Sequence, residues 1–155
     1  MSTRSQIGLY ANKHQNILKP EVLLYKHSDG YPEGVIPIIK PFLERFAATR
    51  GVTDWEYCGA WLMHALVEEH IAVMKDIQIS QNCTWLPVDG HDFLGFGICR
   101  EFHCDIEYFY RIYPNTIEVY ETSFPRDDSK FTEEHFKLVN TIELEALKVL
   151  EDKAS

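Results

Sequence analysis

At 155 residues, 45% of them hydrophobic and 13% aromatic, the chain can bury a core without staples and is far from the aromatic-poor, charge-rich composition of disordered chains. A net charge of −9 excludes the overall basic footprint of a protein that grips a phosphate backbone, so nonspecific nucleic-acid binding is not expected. No stretch approaches the ~18 apolar residues of a spanning helix, and Met1–Gln6 lacks a signal-peptide core, so the expectation is one cytoplasmic domain over residues 1–155 with no membrane contact.

The charge is uneven. Residues 1–50 carry 7 Lys+Arg against 4 Asp+Glu, and the remainder 8 against 20, which leaves room for a small anion beside the first third. Cys58, Cys83, Cys99 and Cys104 show no CxxC spacing. They read as packing residues with no disulfide, and a zinc site from Cys83, Cys99, His103 and Cys104 lacks the close thiolate pair such sites use.

In chain order, Arg4–Tyr10 alternates Ile7 and Leu9 and predicts a strand; a polar loop through Asn12, His14 and Asn16 leads to a second at Val22–Tyr25. Asp29-Gly30-Tyr31-Pro32 is a turn by its chemistry: Gly tolerates positive φ, and Tyr31 before proline is pushed out of the helical region. Ile38, Ile39, Phe42 and Phe46 have helical spacing over 34–50, with Pro37 in the first turn and Pro41 a kink or late start. Thr53-Asp54-Trp55-Glu56 matches a capping box, and the stripe Trp55, Cys58, Leu62, Leu66 predicts a second helix to about His70 or beyond.

Residues 76–92 fit a short strand or an ordered loop. Phe93–Arg100, Asp105–Tyr113 and Thr116–Thr122 read as a three-stranded meander with a tight turn at Pro114-Asn115. Thr132 caps a closing helix with the stripe Phe136, Val139, Ile142, Ala146, Val149. The expected fold is α+β in the order ββ-αα-βββ-α, an antiparallel sheet of about five strands covered on one face by helices.

The densest polar group, His103, Asp105 and Glu107, falls at i, i+2 and i+4 of a predicted strand, which aims all three at one face. An imidazole with two carboxylates suits a divalent metal or acid/base catalysis, while the plain alternative is the solvated face of a half-buried strand. His27 and Asp29 close the second strand at the turn, either as site residues or as a polar edge in which Asp29 bonds its own turn amides. Arg4, Lys26 and Tyr31 would add charge and stacking if the Asp29 turn and the His103–Glu107 strand share one cleft. Ser2 or Thr3 could serve as an N-terminal nucleophile after Met removal, although small second residues commonly just permit that removal.

Thr3-Arg4-Ser5-x-Ile7 and Tyr25-x-His27-x-Asp29-Gly30-Tyr31-Pro32-x-Gly34-Val35 resemble the opening of a family of small uncharacterised bacterial, archaeal and phage proteins. The resemblance covers residues 1–40 and the His103–Tyr110 segment, and Ser28 departs from the aromatic residue expected there. It implies that Thr3, Arg4, His27, Asp29 and Tyr31 are signature positions, without implying an activity. From the residues themselves, the first functional reading is binding of a small molecule, a nucleotide-like anion, in a regulatory role. The second is a metal-assisted or acid/base hydrolase using His27, Asp29, His103, Asp105 and Glu107, and the third is a protein-interaction module.

Overall fold

The computed structural model describes residues 3–50, 54–81, 95–124 and 131–145. Among them β1 (Ser5–Leu9) and β2 (Val22–Lys26) pair antiparallel, Ser5 opposite Lys26 and Leu9 opposite Val22. The chain then enters α1 (Pro32–Thr49) and α2 (Trp55–Gln81), followed by β3 (Phe96–Ile98), β4 (Tyr108–Tyr113), β5 (Thr116–Thr122) and β6 (Phe136–Glu143). The strands form one sheet in the order β3-β2-β1-β4-β5-β6. The α+β class holds, but the sheet is mixed and six-stranded, because β1 and β4 run parallel at its centre, Ser5 beside Tyr108 and Leu9 beside Ile112. A parallel pair needs a long crossover, which α1, α2 and β3 provide.

Helix α1 starts at its first proline. Tyr31 is the extended N-cap residue (φ −71°, ψ 159°), the backbone expected before proline. Pro37 and Pro41 both lie inside the helix rather than starting or ending it. The buried stripe Val35, Ile39, Phe42, Leu43 and Phe46 docks on the sheet and offsets the lost amide bonds, as tertiary packing commonly overrides local preference. In α2 Cys58, Leu62 and Leu66 of the expected stripe are buried and Trp55 is half-buried, while Thr53 of the expected capping box lies outside the described residues. The helix extends to Gln81, so residues 76–81 are neither strand nor loop, while 82–92 lie outside the described residues. No helix among the described residues is long and apolar enough to cross a membrane.

Strand parity divides the core between the two faces of the sheet. Ile7, Leu9, Leu24, Tyr110, Ile112, Ile117 and Val119 pack against the helices. On the opposite face Tyr10, Leu23, Phe109, Tyr120 and Phe136 are covered by the loop residues Ile17, Phe102, Ile106 and Phe124.

Three further sequence expectations are corrected. The Phe93–Arg100 segment does not join a meander: β3 is a three-residue edge strand paired with β2, Phe96 opposite Lys26. His103, Asp105 and Glu107 are not on a strand, since β4 begins at Tyr108 and Cys104-Asp105 form a turn. The closing helix is instead strand β6, and Thr132 caps only the 3-10 turn Glu133–His135, its N–H donating to His135 Nδ1 at 3.0 Å. The apolar spacing misled because β6 carries a bulge. Tyr120 faces Leu138 while the neighbouring Val119 faces Asn140, so Val139 is an extra residue and Phe136 and Ile142 turn to opposite faces. Ala146 and Val149 lie outside the described residues.

Candidate functional site

On β2, Leu23 and Tyr25 point to the helix-free face, and Tyr25 becomes the centre of a polar cluster there. Its ring stacks on His103 with centroids 4.7 Å apart and planes at 20°, and its hydroxyl lies 3.0 Å from His27 Nδ1. Burial raises the phenol above its ordinary range, Asp105 adds to the rise, and the guanidinium of Arg4 opposes it. Arg4 Nε is 3.5 Å from Asp105 Oδ2, both side chains well exposed. Arg4, His27, His103 and Asp105 are thus brought together, around a tyrosine that the sequence reading did not single out.

Gln6 holds His103 in place. Its Oε1 accepts from the His103 amide at 2.9 Å, and its Nε2 donates to the Glu101 carbonyl at 3.2 Å. This clamp lays the loop that follows β3 over β1, and Cys99 Sγ comes to 3.6 Å from His103 Nε2. An open groove of about 620 Å³ runs along Ile98, Cys99, Arg100, Glu101, Phe102 and His103. Glu107 contributes backbone rather than a site: its N–H donates to Arg4 O at 2.9 Å and its carbonyl accepts from Thr122 at 3.0 Å.

The remaining candidates belong to the helix-covered face or its rim, so the expected single cleft divides. Lys26 alternates away from Tyr25 and is buried, with its ammonium donating to Ser28 O and lying 5.8 Å from the Phe96 ring centroid. Burial lowers its pKa and Asp29 counteracts this. Asp29 is exposed and takes the left-handed backbone (φ 54°) that the turn chemistry assigns to Gly30. Its carboxylate accepts from Tyr31 Oη at 3.3 Å. Thr3 offers its carbonyl to the Gly30 amide at 2.8 Å, a fastening role, and Ser2 lies outside the described residues.

Two residues beside Lys26 were also missed: Ser5 Oγ and His70 Nε2 are buried without a hydrogen-bond partner among the described residues. Nothing in their sequence spacing links them, since α2 brings His70 to the sheet end from far along the chain.

Chemically, the Tyr25 cluster offers one guanidinium, two imidazoles and a phenol against one carboxylate. Among the described residues no three His, Cys, Asp or Glu side chains come together in a way that could hold a metal ion, since Asp29 is on one side of β2 and Asp105 on the other. Cys58 is buried, Cys99 half-buried and Cys104 exposed, each with a free thiol; Cys104 therefore does not serve packing, and Cys83 lies outside the described residues. Compared with family models, curated proteins and solved structures, the chain matches none.

Proposed function

We propose that the protein binds a small organic anion of nucleotide-like chemistry on the Tyr25 face of the sheet, in a regulatory role. The observation that carries this reading is the convergence of Arg4, His27 and His103 on Tyr25. An exposed ion pair of the Arg4–Asp105 kind contributes only ~0–1 kcal/mol, so a ligand carboxylate or phosphate can take over the guanidinium at little cost. The stacked Tyr25–His103 pair and the neighbouring groove supply flat and concave surface for the rest of the molecule. A hydrolase needs carboxylates and a proton carrier at one point, and of Asp29, Asp105 and Glu107 only Asp105 shares the cluster, so binding is favoured over turnover.

The test is a thermal-shift screen of the purified protein against nucleoside phosphates and divalent ions. A ligand at 100 times its dissociation constant adds about 2.7 kcal/mol. The expected shift comes from an organic anion, is lost in Arg4→Ala and Tyr25→Ala, and survives in Tyr31→Ala. A shift with divalent ions alone that vanishes in Asp105→Ala, with turnover of an ester, would replace this reading by the hydrolase. A second reading has its own observation: Trp61 and Tyr57 are 54% and 50% exposed, and Trp61 lines a groove of about 430 Å³ between the helices with Phe42 and Arg45, which favours an interaction module if no small molecule binds.

A further inference from the structure

We propose that Cys99 is a site of reversible thiol–disulfide exchange with small disulfides, with His103 as the base that activates it. The assignment does not depend on the ligand-binding reading, although the adduct would occupy the groove beside the Tyr25 cluster.

Both partners are held from their backbones. The Cys99 amide donates to Leu23 O at 2.8 Å, continuing the β2–β3 pairing by one residue. The His103 amide is bound to Gln6, and its ring is pinned flat against Tyr25. Sγ and Nε2 are therefore 3.6 Å apart because both backbones are anchored, rather than by chance meeting of two mobile side chains. Burial raises the Cys99 thiol above its ordinary range while the Gln6 amide pulls it down. The sulfur is accordingly a thiol at neutral pH and needs a proton acceptor to become a nucleophile. His103 is the group placed to be that acceptor, and the adjoining groove admits a reagent.

The exchange is balanced within the pair. His103 Nε2 takes the Sγ proton, and the sulfur attacks one sulfur of a disulfide RSSR. The S–S bond breaks as the Cys99–S–S–R bond forms, and the departing thiolate takes the proton back from the imidazolium and leaves as RSH. Cys99 is oxidised and one half of RSSR reduced; a free thiol runs the step backwards. No oxyanion donors are required, which suits an open groove better than acyl transfer does.

Cys104 gives a built-in comparison, since it is exposed and accessibility alone would make it the faster thiol. The full-length protein is treated at neutral pH with dithiodipyridine, and peptide mass spectrometry assigns the rate at each cysteine. Cys99 should react at least about tenfold faster than Cys104, and His103→Gln should slow Cys99 by at least about tenfold while leaving Cys104 unchanged. Cys99 reacting no faster than Cys104 in the unaltered protein, or at the same rate in His103→Gln, would overturn the proposal. Neither readout is moved by the presence or absence of an anionic ligand shift, so the two readings fail separately.

Discussion

A Cβ on Gly30 would stand 2.7 Å from both Ser5 Oγ and the Thr3 carbonyl, and backbone cannot yield as a flexible side chain does. The residue is needed for close approach of the turn to β1, where Tyr110 Oη also donates to its carbonyl at 2.6 Å. Gly30→Ala should cost about 1–3 kcal/mol, as overpacking does, read as a lower urea midpoint at unchanged slope. His70 makes the opposite kind of demand. Burial, then Lys26, depresses its pKa below 6.5, with Asp29 opposing. In the unfolded chain the imidazole takes up a proton more readily, so the stability it contributes is full above the ordinary value. That stability is lost as pH falls from 6.5 to the depressed folded value. His70→Phe should flatten the fall in Tm as pH drops below 6.5; parallel curves for the two proteins would assign the acid response to other groups.

At the scale of elements, β6 shows why some of the fold could be read and some could not. The β1–β2 and β4–β5 pairs, α1 and the first part of α2 were legible because each keeps a single period, 2 or 3.6, whereas α2 buries no stripe residue beyond Leu66 among the described residues and its end at residues 76–81 was not read as helix. β6 breaks period at Val139, and the positions 136, 139 and 142 then imitate a helix stripe. The parallel β1–β4 contact was invisible for another reason: it joins Ser5 to Tyr108, and local pattern says nothing about partners that far apart. The same distance hid the Gln6–His103 clamp and the place of Tyr25, while His27 stood out with Asp29 at its turn and His103 through a strand spacing that the loop at 103–107 does not have. The bulge makes a specific prediction. Deleting Val139 leaves Phe136 and Ile142 on their present faces in a straight ladder, so the variant should fold. Phe136→Ala empties a position with ring centroids 5.3, 5.4 and 5.0 Å from Phe102, Phe109 and Phe124 and should cost about 3–5 kcal/mol. A deletion more damaging than Phe136→Ala in the same denaturation assay would refute the bulge account.

Across the whole molecule, tyrosines tie both faces of the sheet to pH from the alkaline side. Tyr110 on the helix face and Tyr10 on the other are fully buried, and burial drives both phenols far above their ordinary 10.0. Tyr113 and Tyr120 are pushed up to about 12, by burial first and then by hydrogen bonds to Glu118. That carboxylate accepts from the two hydroxyls at 3.0 and 2.7 Å and pairs with Arg111 at 3.7 Å. Each group's folded pKa exceeds its unfolded one, so the stability is fully present below pH 10.0 and is lost as pH rises through the folded values. Lys26 acts in the other sense: its folded pKa lies below 10.5, so its own contribution improves as pH climbs through that window and is complete near 10.5. One lysine against these four tyrosines, with Tyr25 and the half-buried and buried thiols of Cys99 and Cys58 raised as well, leaves a net loss as pH rises past the ordinary thiol and phenol values. The expected result of an alkaline titration is that the tyrosinate absorbance of the buried phenols, read as the part beyond that of exposed tyrosines such as Tyr57, and the loss of far-UV circular dichroism rise together in one cooperative step above the ordinary phenol range. Glu118→Gln keeps acceptor oxygen but removes the charge, so Tyr113 and Tyr120 should ionise more easily and the step should move to lower pH. Tyrosinate signal from these positions at pH 10 with the circular dichroism intact would mean that the phenols are open to solvent and that the aromatic face is not packed as described.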